Sequence, residues 1–178
     1  NQNGLDSLYP HQIKPCKGRF FGMTNGIWIL SRHPIIDTDT IYFEDAARAD
    51  RIAHKGAVLA KIRLNGRYFE LIGTHAQAQE SEKCNRIRRS QYQQIRDELI
   101  MKHAKTGTPQ IILGDMNTAW SDTSEYAAML HILDATDGPV IASPKADKRD
   151  GNGITWGCSQ NSLIPRKKRG NTSLLDHI

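Results

Sequence analysis

Two apolar runs, Ala57 to Arg63 and Arg67 to Gly73, flank Leu64-Asn65-Gly66. Asn-Gly between such runs is the strongest short-range signal for a β-hairpin. A hairpin of this length commits the chain to a fold built on a sheet whose apolar face must be covered. The second run ends at Gly73-Thr74-His75, which sets His75 just beyond a strand.

The rest of the chain supplies what covers such a sheet. Residues 86–102 carry Ile87, Tyr92, Ile95 and Leu99 on roughly one helical face, with Arg, Gln, Asp and Glu elsewhere. Thr106-Gly107-Thr108-Pro109 stops that helix. Gln110 to Leu113 is a short buried strand running into Gly114-Asp115. Ser121 to Leu133 reads as a second helix, with Ser121 or Thr123 as its N-cap and Glu125 early in its first turns. Gly26 to Leu30 has strand character and is closed by Ser31-Arg32-His33-Pro34. Residues 1–26 read as loop, residues 37–55 as polar chain without a clear strand, and residues 137–153 as a long surface loop. Thr155-Trp156 and Leu174-Leu175 begin short strand-like pieces, separated by a basic connection at 165–171. This order predicts an α/β or α+β layered fold with helices over a sheet.

The 178 residues fit one domain and suffice for a real core. A hydrophobic fraction of 38% with 24% charged residues excludes a disordered chain. No apolar run approaches the roughly 20 residues of a membrane-spanning helix, and no signal peptide is visible. The net charge of +5 suits an anionic partner: nucleic acid, a phosphorylated small molecule or an anionic membrane surface. Cys16, Cys84 and Cys158 form no zinc pattern, and one disulfide with a spare thiol or three buried thiols both remain open.

Three strand ends carry groups with chemistry. At Gly114-Asp115-Met116-Asn117 an apolar strand delivers a carboxylate and an amide, the oxygen donors a hard cation prefers, although an Asx turn would use the same residues. His75 has an imidazole able to bond a phosphoryl oxygen or to act as acid or base near neutral pH. Asp176-His177 pairs a carboxylate with an imidazole, which suits activation of water. Together they suit metal-assisted hydrolysis of a phosphate ester. His11, His33, His54, His103 and His131 lack such company and read as structural or exposed.

These motifs resemble those of the endonuclease/exonuclease/phosphatase superfamily of Mg²⁺-dependent phosphoesterases, and within it the chain is most similar to the neutral sphingomyelinases. The resemblance rests on Gly73-Thr74-His75-Ala76-Gln77-Ala78, on 87–95, on Ser124-Glu125-Tyr126 with Met129-Leu130, and on Thr155-Trp156 with Asn161. Leu175-Asp176-His177-Ile178 and the Asp50, Lys55-Gly56 spacing complete it. It runs from about Leu8 to the last residue. It implies a four-layer α/β sandwich of two mixed β-sheets flanked by helices, in one domain over 1–178. The family's principal metal ligand, a Glu on an early strand, and an Asn on the first strand have no counterpart, and Glu44 and Glu70 lie in the wrong context to replace that Glu. The resemblance therefore implies a domain lacking its N-terminal strands and C-terminal end.

The resemblance also implies roles. His177 is the general base, and Asp176 orients it or approaches the metal. His75 and Asn117 bind and polarise the phosphoryl group. Asp115 meets phosphate, leaving group or metal, and Lys55 stands near the phosphate, placed by Asp50. The implied cofactor is Mg²⁺ or another divalent metal such as Mn²⁺. The implied substrate is sphingomyelin at a membrane surface, cleaved to ceramide and phosphocholine, which favours a secreted or membrane-associated location. Trp120 is a candidate for membrane contact, with packing as its ordinary alternative. Two other readings stand beside this one: a Mg²⁺-dependent nuclease or phosphoinositide phosphatase, favoured by the basic charge, and a binding module that has lost catalysis.

Overall fold

The computed structural model describes residues 2–15, 24–104, 107–137 and 176–177. The Asn65-Gly66 hairpin is its centre. Strand β4 (Gly56–Leu64) pairs antiparallel with β5 (Arg67–His75), with Leu64 opposite Arg67. The turn requires positive φ at both linking residues, and Asn65 (50°) and Gly66 (77°) supply it. On one side β3 (Ile35–Tyr42) pairs antiparallel with β4; on the other β6 (Gln110–Asp115) runs parallel to β5. The pair Asp176–His177 forms β7, antiparallel to β6, which completes a mixed five-stranded sheet in the order β3-β4-β5-β6-β7. A separate two-stranded antiparallel sheet joins β1 (His11–Ile13) to β2 (Ile29–Ser31).

Both faces of the large sheet are buried, which explains the near-continuous apolar run of β4. One face presents Ala57, Leu59 and Ile72 to helices α2 (Glu82–Ile95) and α4 (Thr123–Leu133), through Tyr92, Ile95, Leu99, Met129 and Leu133. The other presents Val58, Ala60 and Ile62 to Ile27 and Ile29, with Ile13 packed alongside, so the small sheet covers it. Helices, large sheet and small sheet make three successive layers among the described residues, an α/β fold of two sheets with flanking helices.

Several expectations shift. Residues 35–42 form a strand where polar loop was expected. It is the edge strand of its sheet, where charge is tolerated, and its Asp39 bonds Lys102 and His103. Residues 2–8 form a short helix, α1, where loop was expected. The helix expected at 86–102 begins earlier, capped by Ser81, and passes through a π-helical turn at Arg96–Ile100 into a last turn, α3 (Met101–His103). The cap of α4 is Asp122, one residue from either candidate; it accepts from the Glu125 N–H. Cys84 is a buried free thiol. Cys16 and Cys158, the strand-like piece at Thr155-Trp156, the basic connection and most of the 137–153 loop lie outside the described residues. No helix among the described residues is long and apolar enough to cross a membrane.

The parallel seam between β5 and β6 closes tightly at its end. Gly114 has φ +136°, and a Cβ there would lie 2.1 Å from the Thr74 carbonyl oxygen. Gly114→Ala is therefore expected to destabilise the domain by about 3 kcal/mol, through backbone strain and overpacking. Denaturant unfolding of the two proteins measures this; equal midpoints would contradict it.

Candidate active site

The in-register pairing of β5, β6 and β7 fixes the site's geometry. His75 stands level with Asp115, and Asp115 stands opposite Asp176; Gly114 stands opposite His177. Adjacent strands are about 4.8 Å apart, so four of the five expected catalytic residues start from neighbouring backbone positions at one end of the sheet. The loop from β3 to β4 returns to that same end, since Tyr42 pairs with Gly56 and Ala57 with Thr74. It brings Asp50 and Lys55.

Past Asp115 the chain bends sharply. Asp115 Oδ1 accepts the Asn117 N–H at 2.9 Å, and Asn117 takes a left-handed conformation with φ 52°. This is the Asx turn, and it consumes one carboxylate oxygen only. The other, Oδ2, lies 3.6 Å from His75 Nε2, too long for a good hydrogen bond and close enough for strong attraction to an imidazolium. Both side chains are partly open to solvent. The turn and the site thus divide the two oxygens of one side chain.

Beneath the turn lies Tyr92. Its hydroxyl donates to the Met116 carbonyl at 2.6 Å and lies 2.8 Å from Thr118 Oγ1. Burial is the main cause that pushes this phenol up to about 12, so it stays protonated and keeps donating. Asn117 Nδ2 reaches across to the Ala76 carbonyl at 3.0 Å, tying the β6 turn to the end of β5.

Lys55 arrives at the same carbonyl. Its Nζ donates to Ala76 O at 2.7 Å and lies 3.1 Å from Asp50 Oδ2. It is 6% exposed, a buried lysine and not a surface one. Burial pulls its pKa below the ordinary lysine value, with the nearby Asp50 and Asp115 carboxylates pushing back. Gln77, noted in the sequence only as part of the family resemblance, is 1% exposed and bonded to main chain, so it faces inward instead of toward the site. Arg88 and Gln91, buried on the same helix face, were not anticipated; a polar residue at a helical position that packing would assign to the core was the available signal. Trp120 is 56% exposed, so it is not a core residue among the described ones. Glu70 is wholly buried at the other end of β5, so it cannot reach the site.

A hard divalent cation takes oxygen ligands. Asp115 and the position opposite it, Asp176, offer carboxylates of that kind, and their chemistry fits such an ion. Among the described residues no group of three or more His, Cys, Asp or Glu converges as a metal site.

Comparison with known proteins finds sphingomyelinases among those similar to this chain. Sphingomyelinase C of Listeria ivanovii is 29% identical over 180 residues, covering 91% of this chain and 51% of that protein. Sphingomyelinase C of Leptospira interrogans is 30% identical over 194 residues, covering 99% of this chain and 33% of that protein. The chain thus spans about half the length of the first of these relatives and a third of the second. A mutant of beta toxin from Staphylococcus aureus, solved with bound magnesium ions, superposes with a TM-score of 0.68 at 26% identity, covering 76% of this chain and 52% of that one. A model described as the Endonuclease/Exonuclease/phosphatase family matches residues 1–178; with His75, Asp115 and Asn117 at adjoining strand ends and Asp176-His177 beside them, the chain belongs to that family.

Proposed function

We propose that this chain carries the greater part of the active site of a sphingomyelinase-like phosphodiesterase, dependent on Mg²⁺ or a similar divalent metal. The observation that carries the reading is the shared level of His75, Asp115 and Asp176 across three adjacent strands. The similarity to two proteins named sphingomyelinase C supports the choice of a choline phospholipid over other phosphodiesters.

In this reading His177 takes a proton from water, which attacks phosphorus in line with the ceramide oxygen. Asp176 orients His177. His75 and Asn117 bond the phosphoryl oxygens, Asn117 with the amide proton its bond to Ala76 leaves over. Lys55 spends two of its three N–H groups on Ala76 and Asp50, and its positive charge attracts the phosphate. Asp115 and Asp176 would hold the metal, which when bound offsets the charge of the phosphoryl group. Cleavage of the P–O bond releases phosphocholine and ceramide, whose leaving oxygen takes a proton from solvent as His177 returns its own to solvent. Such a substrate sits in a lipid surface, and exposed Trp120, on the loop just after Asn117, is suited to meet it.

Three outcomes test this in the full-length protein. With Mg²⁺ it should release phosphocholine from sphingomyelin vesicles and lose that release on chelation, with recovery on adding metal back. Silence on sphingomyelin, together with salt-sensitive cutting of DNA, would move the reading to the nuclease alternative. His177→Ala and Asp115→Ala should each lower kcat by about a thousandfold while the circular dichroism spectrum is kept; near-normal rates in either would refute its role. Lys55→Met should lower kcat/KM by about a hundredfold, and an unchanged value would assign Lys55 to packing alone.

A further inference from the structure

Gln77 lies two residues beyond His75 and is wholly enclosed. Its side-chain Oε1 accepts the Ala47 N–H at 2.8 Å. Its Nε2 donates to the Ala78 carbonyl at 2.9 Å and lies 3.4 Å from the Ala47 carbonyl. Its own N–H donates to Gln91 Oε1 at 2.8 Å, and Arg88 donates to its carbonyl at 3.0 Å. Gln91 in turn donates to the Asp45 carbonyl at 2.8 Å. Every bond that the two glutamine amides make across space ends on the loop between β3 and β4 or on the chain just past β5.

Asp50 and Lys55 join the same two segments. Asp50 Oδ2 accepts the Ala78 N–H at 2.7 Å and lies 3.1 Å from Lys55 Nζ. Lys55 then returns to Ala76 at 2.7 Å. Residues 47, 50 and 55 are thereby stitched to residues 76, 77 and 78. A plain core role does not explain the choice of residue. Leucine or methionine would fill the space without the cost of desolvating an amide. A fully bonded amide accepts one arrangement of its neighbours, because both its donor and its acceptor must stay satisfied.

We propose that Gln77 is a positioning residue for Lys55: its amide, braced by Gln91, holds Ala47 against Ala78 so that Asp50 can bond the Ala78 N–H and the Lys55 ammonium at once. The consequence is a fixed place for a positive charge beside the Asn117 amide, and hence for the phosphoryl oxygens they would bind. The inference rests on the phosphodiesterase reading. It differs from a structural role in one measurable respect: the effect of Gln77 on turnover passes through Lys55.

A double-mutant cycle in the full-length protein separates the two, with Gln77→Leu and Lys55→Met read on phosphocholine release. Gln77→Leu should lower kcat/KM about tenfold when Lys55 is present and less than twofold in the Lys55→Met background. Equal fold-losses in both backgrounds, or no loss in a folded Gln77→Leu protein, would overturn the proposal. Should Gln77→Leu fail to fold, Gln77→Glu takes its place in the cycle with the same expectation, since it keeps the volume and the acceptor for Ala47 while removing the donor to Ala78. A parent protein that cleaves no phosphodiester defeats the functional reading and not this one. The same cycle is then read on the Kd for inorganic phosphate by calorimetry, where coupling between residues 77 and 55 supports the placement and additivity overturns it.

Discussion

The parallel pairing of β5 with β6 is the constraint on which the rest depends. Parallel strands need a crossover, here α2, and their loops leave from the same end. That geometry alone puts the residue after Thr74 level with the residue after Gly114. The close approach of Gly114 to the Thr74 carbonyl then removes any slack between the strands. A shift of one residue would turn either His75 or Asp115 to the opposite face. Chemistry at this end of the sheet is therefore a property of strand pairing first and of side-chain choice second.

Helix α2 divides its buried face between two tasks. Ile95, and beyond its end Leu99, pack into the apolar layer over β4 and β5. Nearer its start, Arg88, Gln91 and Tyr92 send polar atoms to main-chain groups: Gln77 and Gln79, Gln77 and Asp45, and Met116. The first part holds the helix on the sheet, and the second holds loops against the helix. Loops are ordinarily the more mobile parts of a fold; these are fastened from below by hydrogen bonds from buried polar side chains.

Much of this was legible in the sequence, for reasons that differ by element. The hairpin announced itself because Asn65-Gly66 is a local turn signal, and α4 and the main part of α2 because their apolar spacing is periodic. The strand at 35–42 was not legible: Asp37 and Asp39 on an edge erase the alternation that marks a half-buried strand. The site residues His75, Asp115 and Asn117 were found because each follows an apolar strand. Their shared level was not legible, although their joint chemistry was, because the level depends on pairing between segments some forty residues apart. The polar face of α2 was hidden for a related reason. Arg88 and Gln91 look like surface residues until the backbone groups they satisfy are known.

The carbonyl oxygen of Ala76 joins the two sides of the site. Lys55 and Asn117 both end on it, one from each flanking loop. It belongs to the main chain, so no exchange of side chain at position 76 deletes it, and a scan by alanine would pass over the point where cation and amide are brought together. The joint is written in backbone, and its partners can vary around an acceptor that every residue type provides. Only backbone chemistry reaches it: an ester in place of the 76–77 amide would weaken that acceptor and, in the same atom exchange, remove the N–H that Gln77 offers to Gln91.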